Sequence, residues 1–159
     1  MSCAGTFSPT TINVIQKSWS SVKEKAGDER DLIVSMLVFK NFFGDYPSTI
    51  KYFKRFGNDP ETIMKHATFI DHAKKNVFNS LDKTIGILDE PEEIKKIELW
   101  IGKVHRSKRI SREDFLSLGN SIVKSVKLAL GDQCTEEDEE AWQTVIGALM
   151  SAFAESSSK

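Results

Sequence analysis

Cysteine is scarce in this sequence. Cys3 and Cys134 are its only two cysteines, and they stand far apart in the chain. Small secreted domains that depend on disulfides carry several cysteines, and zinc knuckles carry them in closely spaced pairs. We therefore expect two free thiols, with neither a disulfide framework nor a CxxC metal site.

An excess of charge of one sign is also absent. The formal net charge is -1, so no strong field draws the chain to nucleic acid or to an acidic membrane surface. No apolar run approaches the roughly 20 residues that span a bilayer. The first residues lack the basic and then apolar regions of a secretory signal. If Met1 is the native start, we expect a cytoplasmic protein with no nucleic-acid or membrane partner.

Strand signals are almost missing, because the chain has no Asn-Gly or Asp-Gly turn and no long alternation of apolar and polar residues. Apolar residues instead recur every three or four positions, and all four prolines stand at or near a helix start. A length of 159 residues with 40% apolar content suits one core. The sequence predicts one all-α domain over 1–159, with an N-terminal extension at 1–8 and a frayed tail at 155–159.

Seven helices are predicted from these patterns. Two of them begin with a capping box, at Ser111 to Asp114 and at Thr135 to Asp138, in which a hydroxyl and a carboxylate satisfy free backbone donors. Short links between the helices leave no room for a second domain. The predicted helices cover 9–25, 28–44, 47–53, 60–86, 92–106, 111–130 and 135–154.

Two stretches carry a family pattern. In the first, Pro47 opens a short helix, Phe53 follows six residues later and Phe39 precedes the proline by eight. In the second, His105 stands late in a helix and Ile110 follows it by five. This ordered set resembles the globin family over nearly the whole chain, most closely the invertebrate intracellular haemoglobins of bivalves and annelids. The matching positions are Trp19, Phe39, Pro47, Phe53, His105, Ile110, Phe115, Leu118 and Trp142.

The resemblance implies a globin fold of seven to eight helices around one haem b, without enzymatic activity. His105 is then the proximal iron ligand, since haem iron takes a neutral imidazole nitrogen. Reversible binding of oxygen or another diatomic ligand at ferrous iron, for storage or transport, follows from the same likeness. The residues expected to hold the cofactor are Phe39, Phe53, His72, Lys75, Val77, Ile101, His105, Ile110, Phe115 and Leu118.

Spacing selects the distal histidine, which would donate a hydrogen bond on the ligand side. His72 lies nineteen residues after Phe53 and thirty-three before His105, close to the family's separations. His66 lies only thirteen residues after Phe53. We predict that His72 is distal and that His66 is a surface residue.

The distal helix departs from the family pattern by one extra residue after His72. In a regular helix, a residue four positions on lies about 40° round the axis, whereas one five positions on lies about 140° round it. Asn76 rather than Val77 would then face the ligand. A π-bulge would return Val77 to the pocket, and such bulges collect at functional sites. We favour the bulge over a straight helix whose core stripe passes through Val77.

The resemblance also suggests partners for the haem propionates, an assembly and rival functions. Lys75, Lys108 and Arg109 are candidates for pairing with the haem propionates, and likeness to bivalve globins suggests a homodimer. The rival functions are a haem redox enzyme that reduces peroxide or oxidises nitric oxide, and a sensor in which His72 itself binds iron. A rival outside haem chemistry is a helical interaction module.

Overall fold

Prolines and short polar caps set where the helices begin. The computed structural model describes residues 7–159. Ser8 Oγ accepts a hydrogen bond from the Thr11 N–H at 3.1 Å, directly before Pro9. Asp59 does the same for Thr62 at 2.9 Å. These side chains satisfy backbone donors that a helix start leaves free, and the following proline loses nothing by lacking an N–H.

The described chain is almost entirely helical, which confirms the predicted all-α fold. Its α-helices are α1 Pro9–Ala26, α2 Arg30–Asp45, α3 Pro60–Lys65, α4 Ala67–His72, α5 Asn79–Gly86, α6 Pro91–His105, α7 Arg112–Leu130 and α8 Glu136–Ser157. Tight 3₁₀ turns occupy Gly27–Glu29, Pro47–Phe56, Arg106–Lys108 and Gly131–Gln133, and a π-helical turn occupies Ala73–Phe78. Within the described part of the chain, no helix has the length and apolarity to cross a membrane.

Two of the predicted helices differ from the structure. The helix expected over 60–86 is broken at His66, whose extended backbone (φ -72°, ψ 123°) ends α3. His66 Nδ1 then accepts a hydrogen bond from the Thr68 N–H at 3.2 Å and so caps the start of α4. The segment expected as a helix over 47–53 is a 3₁₀ helix. Its backbone is kinked at Phe53 (φ -124°, ψ 18°), where the predicted helix ends, and a further 3₁₀ turn follows to Phe56.

The two predicted capping boxes have different outcomes. Thr135 and Asp138 form the complete box at the start of α8. At α7, Ser111 Oγ accepts from the Asp114 N–H at 3.1 Å. The Asp114 carboxylate, however, accepts a hydrogen bond from the hydroxyl of Tyr52. Because this carboxylate ties the 3₁₀ segment to α7, only half of the predicted box forms.

The main core is formed by α1, α2, α5, α6, α7 and α8, with Phe78 of the π-helical turn, and two tryptophans anchor it. Trp142 is 1% exposed, and its Nε1–H donates to Ser18 Oγ at 2.7 Å. The Nε1–H of Trp19 donates to Asp82 Oδ1 at 2.7 Å. Both indoles therefore bury a large apolar area while their single donor stays satisfied. Cys134 is a free, partly buried thiol, and Cys3 lies outside the described residues.

A second cluster of aromatic rings lies between α2, the Pro47–Phe56 turn and α4. The rings sit 4.9 to 6.2 Å apart between centroids. Such tilted and edge-on pairs are the favoured geometry for aromatic side chains. The cluster contains Phe39, Phe42, Phe43, Phe53, Phe56 and Phe69.

The C-terminal tail is ordered, which corrects the frayed tail predicted from residue 155. Helix α8 continues to Ser157, and the side chains of Ser156 and Ser157 are buried. Gly102 of α6 makes this possible, because a Cβ built there would lie 2.8 Å from the backbone carbonyl carbon of Ser156. The polar composition of the tail concealed its packing, since small serines suit a close contact between two helices.

The contact between α6 and the end of α8 predicts an opposite effect of two glycine substitutions. Gly102→Ala should lower the free energy of unfolding by about 1 to 2 kcal/mol, because overpacking outweighs the gain in helix propensity. Gly147→Ala is the matched control, since a Cβ there meets nothing within 4 Å. It should raise the stability by up to about 1 kcal/mol.

Urea unfolding followed by circular dichroism measures both values. Equal stabilisation by the two alanines would contradict the close contact between Gly102 and Ser156.

Candidate functional site

A cavity of about 260 Å³ lies between the α4–α5 region, α6, α7 and α8. Trp100 and Val104 line it and yet are 49% and 37% exposed, so the cavity reaches the surface beside α6. Its wall is mainly apolar. The apolar lining comprises Val77, Leu81, Trp100, Ile101, Val104, Phe115, Leu118, Ile122, Leu149, Met150 and Phe153. The polar lining comprises His72, Asn76, Ser80, Thr84, His105 and Lys108.

His105 is the last residue of α6, and its ring is oriented by the helix itself. His105 Nδ1 lies 2.9 Å from the carbonyl oxygen of Ile101. A carbonyl oxygen only accepts, so Nδ1 carries the proton and Nε2 keeps a free electron pair. Phe115 holds the ring from α7, edge-on at 5.7 Å between centroids. Burial lowers the pKa of His105, which favours the neutral imidazole.

His72 is the last residue of α4 and is partly buried on the cavity wall. Its Nδ1 lies 2.9 Å from Nδ2 of Asn76. Burial lowers the pKa of His72, and the positive charges of Lys108 and Arg55 lower it further. The imidazole is therefore kept neutral by both desolvation and its cationic neighbours.

The backbone after His72 widens into the π-helical turn Ala73–Phe78, which confirms the predicted bulge. At its end the Asn79 N–H donates to the carbonyl of Lys74, five residues back. The turn takes up the extra residue and brings Val77 to the cavity wall, as expected. Asn76 lines the cavity as well. His72 therefore has both a polar neighbour, Asn76, and an apolar one, Val77, on the cavity wall.

A model of the globin family matches residues 37–153, which is well over half of the chain. The chain belongs to the globin family. The resemblance inferred from Pro47, Phe53, His105 and the residues around them is therefore confirmed.

Several curated globins are similar to this one. Cytoglobin-2 of Danio rerio is 26% identical over 139 residues, which cover 86% of this chain and 74% of the fish protein. A globin of Tritia mutabilis is 24% identical over 136 residues, covering 86% of this chain and 91% of its own length. A globin of Nerita albicilla is 23% identical over 137 residues, covering 85% and 83% respectively.

The structure brings six of the ten predicted cofactor-binding residues together around the cavity. They come from separate elements: two from the α4 end and the π turn, two from α6 and two from α7. The six are His72, Val77, Ile101, His105, Phe115 and Leu118.

The other four predicted residues lie outside the cavity lining. Phe39 and Phe53 pack on each other at 5.6 Å between centroids, in the aromatic cluster behind the π turn. Ile110 packs against the main core. Lys75 is exposed and pairs with Asp71 at 3.2 Å, one helical turn away.

Of the other basic candidates, Lys108 lines the cavity, whereas Arg109 is exposed with a left-handed φ of 53° and lies outside the lining. Sequence reasoning missed the part of the wall formed by Met150 and Phe153 of α8. Phe153 follows Leu149 by four residues, so extending the apolar stripe of the last helix by one turn would have found it.

These residues fit a haem, the cofactor that globins bind. The apolar wall suits a flat hydrocarbon ring, and the free electron pair on His105 Nε2 suits iron. Lys108 lines the cavity although it is exposed, so it supplies positive charge at the rim for a group that carries carboxylates. The ring, the iron and the carboxylates of the cofactor would thus each have suitable side chains near them.

Burial of His105 predicts a pH dependence of stability in the haem-free protein. Its pKa lies below the ordinary 6.5 in the folded state, so the unfolded chain binds more protons near that pH. The stabilisation is complete above about pH 7.5, and it is lost progressively as the pH falls from about 6.5 through the lower pKa of the folded state. We expect His105→Gln to weaken this dependence.

Chemical unfolding at several pH values measures the effect. Between about pH 7.5 and about pH 5.5, the His105→Gln variant should lose less stability than the unchanged chain. Parallel curves for the two proteins would contradict the buried, neutral imidazole.

Proposed function

We propose that this globin binds haem b in the cavity between the α4–α5 region, α6, α7 and α8. We further propose that it takes up oxygen reversibly, for storage or transport. One observation carries the proposal: the Nδ1–H of His105 is bonded to the Ile101 carbonyl, which leaves Nε2 free to bind a metal inside an apolar cavity. When bound, haem supplies a ferrous iron with one open coordination position for a diatomic ligand.

In this proposal His105 would hold the iron through its Nε2 nitrogen. The Ile101 carbonyl fixes the tautomer and the ring orientation, and hydrogen bonding to Nδ1 raises the basicity of Nε2. Phe115 restricts rotation of the ring from the α7 side. Both neighbours thus act on the direction in which the Nε2 electron pair points.

His72 supplies the polar group on the ligand side. A neutral imidazole N–H donates a hydrogen bond to a partially negative atom, and in an apolar surrounding this bond is stronger than in water. Val77 and Leu118, which also line the cavity, exclude water and the protons it delivers. We infer that Phe39 and Phe53 act from behind this wall, through their packing in the aromatic cluster.

The haem carboxylates are assigned to the Lys108 side of the cavity. Lys108 lines the cavity, and Lys108 and Arg55 both lie near enough to His72 to lower its pKa. Arg55 also rests over the Phe56 ring at 4.6 Å, which holds its guanidinium in place. Lys75, already paired with Asp71, is the weaker candidate.

A homodimer remains part of the proposal. Leu99 and Trp100 are 56% and 49% exposed on α6, the helix that ends at His105. A second copy that covered these two side chains would bury apolar area next to the haem-binding wall.

The redox enzyme is the competing function. Efficient cleavage of peroxide needs an acid-base partner, such as an arginine, inside the pocket beside the distal histidine. Within the described residues, the cavity lining contains no arginine. Arg55 lies near His72 but outside that lining, and this favours the oxygen carrier. Peroxide turnover well above that of an ordinary globin would favour the enzyme instead.

Oxygen binding by purified protein tests the proposed function. We expect a five-coordinate deoxy-ferrous spectrum that changes on exposure to oxygen and returns when oxygen is removed. His72→Leu should release oxygen at least about tenfold faster, because it loses a hydrogen bond to a partly charged ligand. Stopped-flow measurement of oxygen dissociation gives this rate.

His66→Asn is the control, because His66 is exposed and outside the cavity lining, and asparagine keeps an acceptor that can cap α4 in place of the His66 ring. It should leave the oxygen dissociation rate unchanged. A colourless protein would contradict the proposal, and a six-coordinate deoxy spectrum would point to the sensor.

A further inference from the structure

The geometry points to Asn76 as a positioning residue that keeps the proton of neutral His72 on Nε2, the nitrogen available to a ligand. This inference deepens the proposed function, because it concerns the same ligand side of the same cavity. It rests on the Asn76–His72 pair and on the π turn in which Asn76 lies.

The pair is a direct contact between two cavity-lining side chains. Asn76 Nδ2 lies 2.9 Å from His72 Nδ1, the usual length of an N–H···N or N–H···O hydrogen bond. Both residues line the cavity. Asn76 therefore acts on the imidazole at the wall where the ligand would lie.

The π turn favours this contact. In a regular α-helix, residues four apart are offset by about 40° round the axis. His72 ends α4, and Asn76 lies within the wider turn Ala73–Phe78. A wider turn holds more residues per turn, so each residue advances fewer degrees round the axis and a residue four positions on lies more nearly above His72. Asn76, within this turn, is the residue that contacts the imidazole.

The chemistry of the amide fixes the tautomer. An asparagine Nδ2 is a hydrogen-bond donor only, so the His72 Nδ1 that faces it must accept through its electron pair. A neutral imidazole with an unprotonated Nδ1 carries its proton on Nε2. Asn76 thereby favours the one neutral form that can donate to a partially negative ligand atom.

The same tautomer disfavours direct binding of iron by His72. A protonated Nε2 has no electron pair for a metal, and a change of tautomer would break the bond to Asn76. The two cavity histidines are then held in opposite forms. His105 has its proton on Nδ1 through the Ile101 carbonyl, and His72 has its proton on Nε2 through the Asn76 amide.

Substitutions at position 76 separate these roles. Asn76→Asp replaces the donor with an acceptor of nearly the same shape, and Asn76→Leu removes both functions at similar volume. Asn79→Asp and Asn79→Leu are the matched controls, because Asn79 is exposed, follows in the same helical segment and lies outside the cavity lining. Circular dichroism melting checks that each variant remains folded.

Nitrogen-15 NMR of the histidine side chains tests the inference. The spectrum is recorded on the full chain in its reduced, carbon monoxide-saturated form, at about pH 9, where imidazoles are neutral. The His72 signals are those lost in His72→Gln. In the unchanged chain and in both Asn79 variants, we expect Nε2 protonated and Nδ1 unprotonated.

In Asn76→Asp the proton should move to Nδ1, where the carboxylate accepts it. Asn76→Leu should shift the tautomer ratio toward Nδ1–H by about twofold to about tenfold, the range of one neutral hydrogen bond. A proton on Nδ1 in the unchanged chain, or an Nε2–H signal that Asn76→Asp and Asn76→Leu both leave unaltered, would overturn the inference.

A second readout follows the consequence for coordination. In Asn76→Asp the freed Nε2 electron pair should raise the six-coordinate fraction of the ferric and deoxy-ferrous spectra, and Asn79→Asp should not. Failure here is distinct from failure of the proposed function. A chain that takes up no haem contradicts the proposed function, whereas the tautomer of His72 can still be read by NMR in that chain.

Discussion

The hydrogen bond from His105 to the Ile101 carbonyl is the interaction on which the whole site depends. It joins a side chain at the end of α6 to the backbone of the same helix at 2.9 Å, and so converts helix geometry into a defined tautomer. Without it, either ring nitrogen could carry the proton, and the electron pair offered to a metal would have no fixed direction. The surrounding helices hold α6 where this imidazole lines the cavity.

Two features of the packing hold α6 in place. Gly102 allows the end of α8 to approach α6, so that Ser156 and Ser157 are buried against it. Phe115 from α7 contacts the His105 ring edge-on. Elsewhere on the cavity wall, His72 and Asn76 lie at the end of α4 and in the π turn, where the backbone departs from α-helical geometry. Rigid helices therefore position the proposed iron ligand, while a widened turn sets the ligand side.

Periodicity, prolines and caps predicted the all-α fold and most helix ends, because these signals act within a few residues of one another. The π turn could be predicted too, since one extra residue after His72 has few ways to fit. The break at His66 has no proline or glycine to announce it, and the packed serine tail depends on a contact between the distant residues Gly102 and Ser156. The placement of Phe39 and Phe53 in a separate aromatic cluster also depends on such contacts. The hydrogen bond between Asn76 and His72 could not be predicted, because helical spacing places the two side chains near each other without saying how they are oriented.

Replacing His105 by glycine is the most direct test of its assignment as the iron ligand. His105→Gly leaves the cavity without its axial nitrogen, and added imidazole can take that place. We predict that the glycine variant loses the normal Soret band of the haem-loaded protein, and that imidazole restores it. A glycine variant with an unchanged Soret band in the absence of imidazole would contradict the assignment of His105 as the iron ligand.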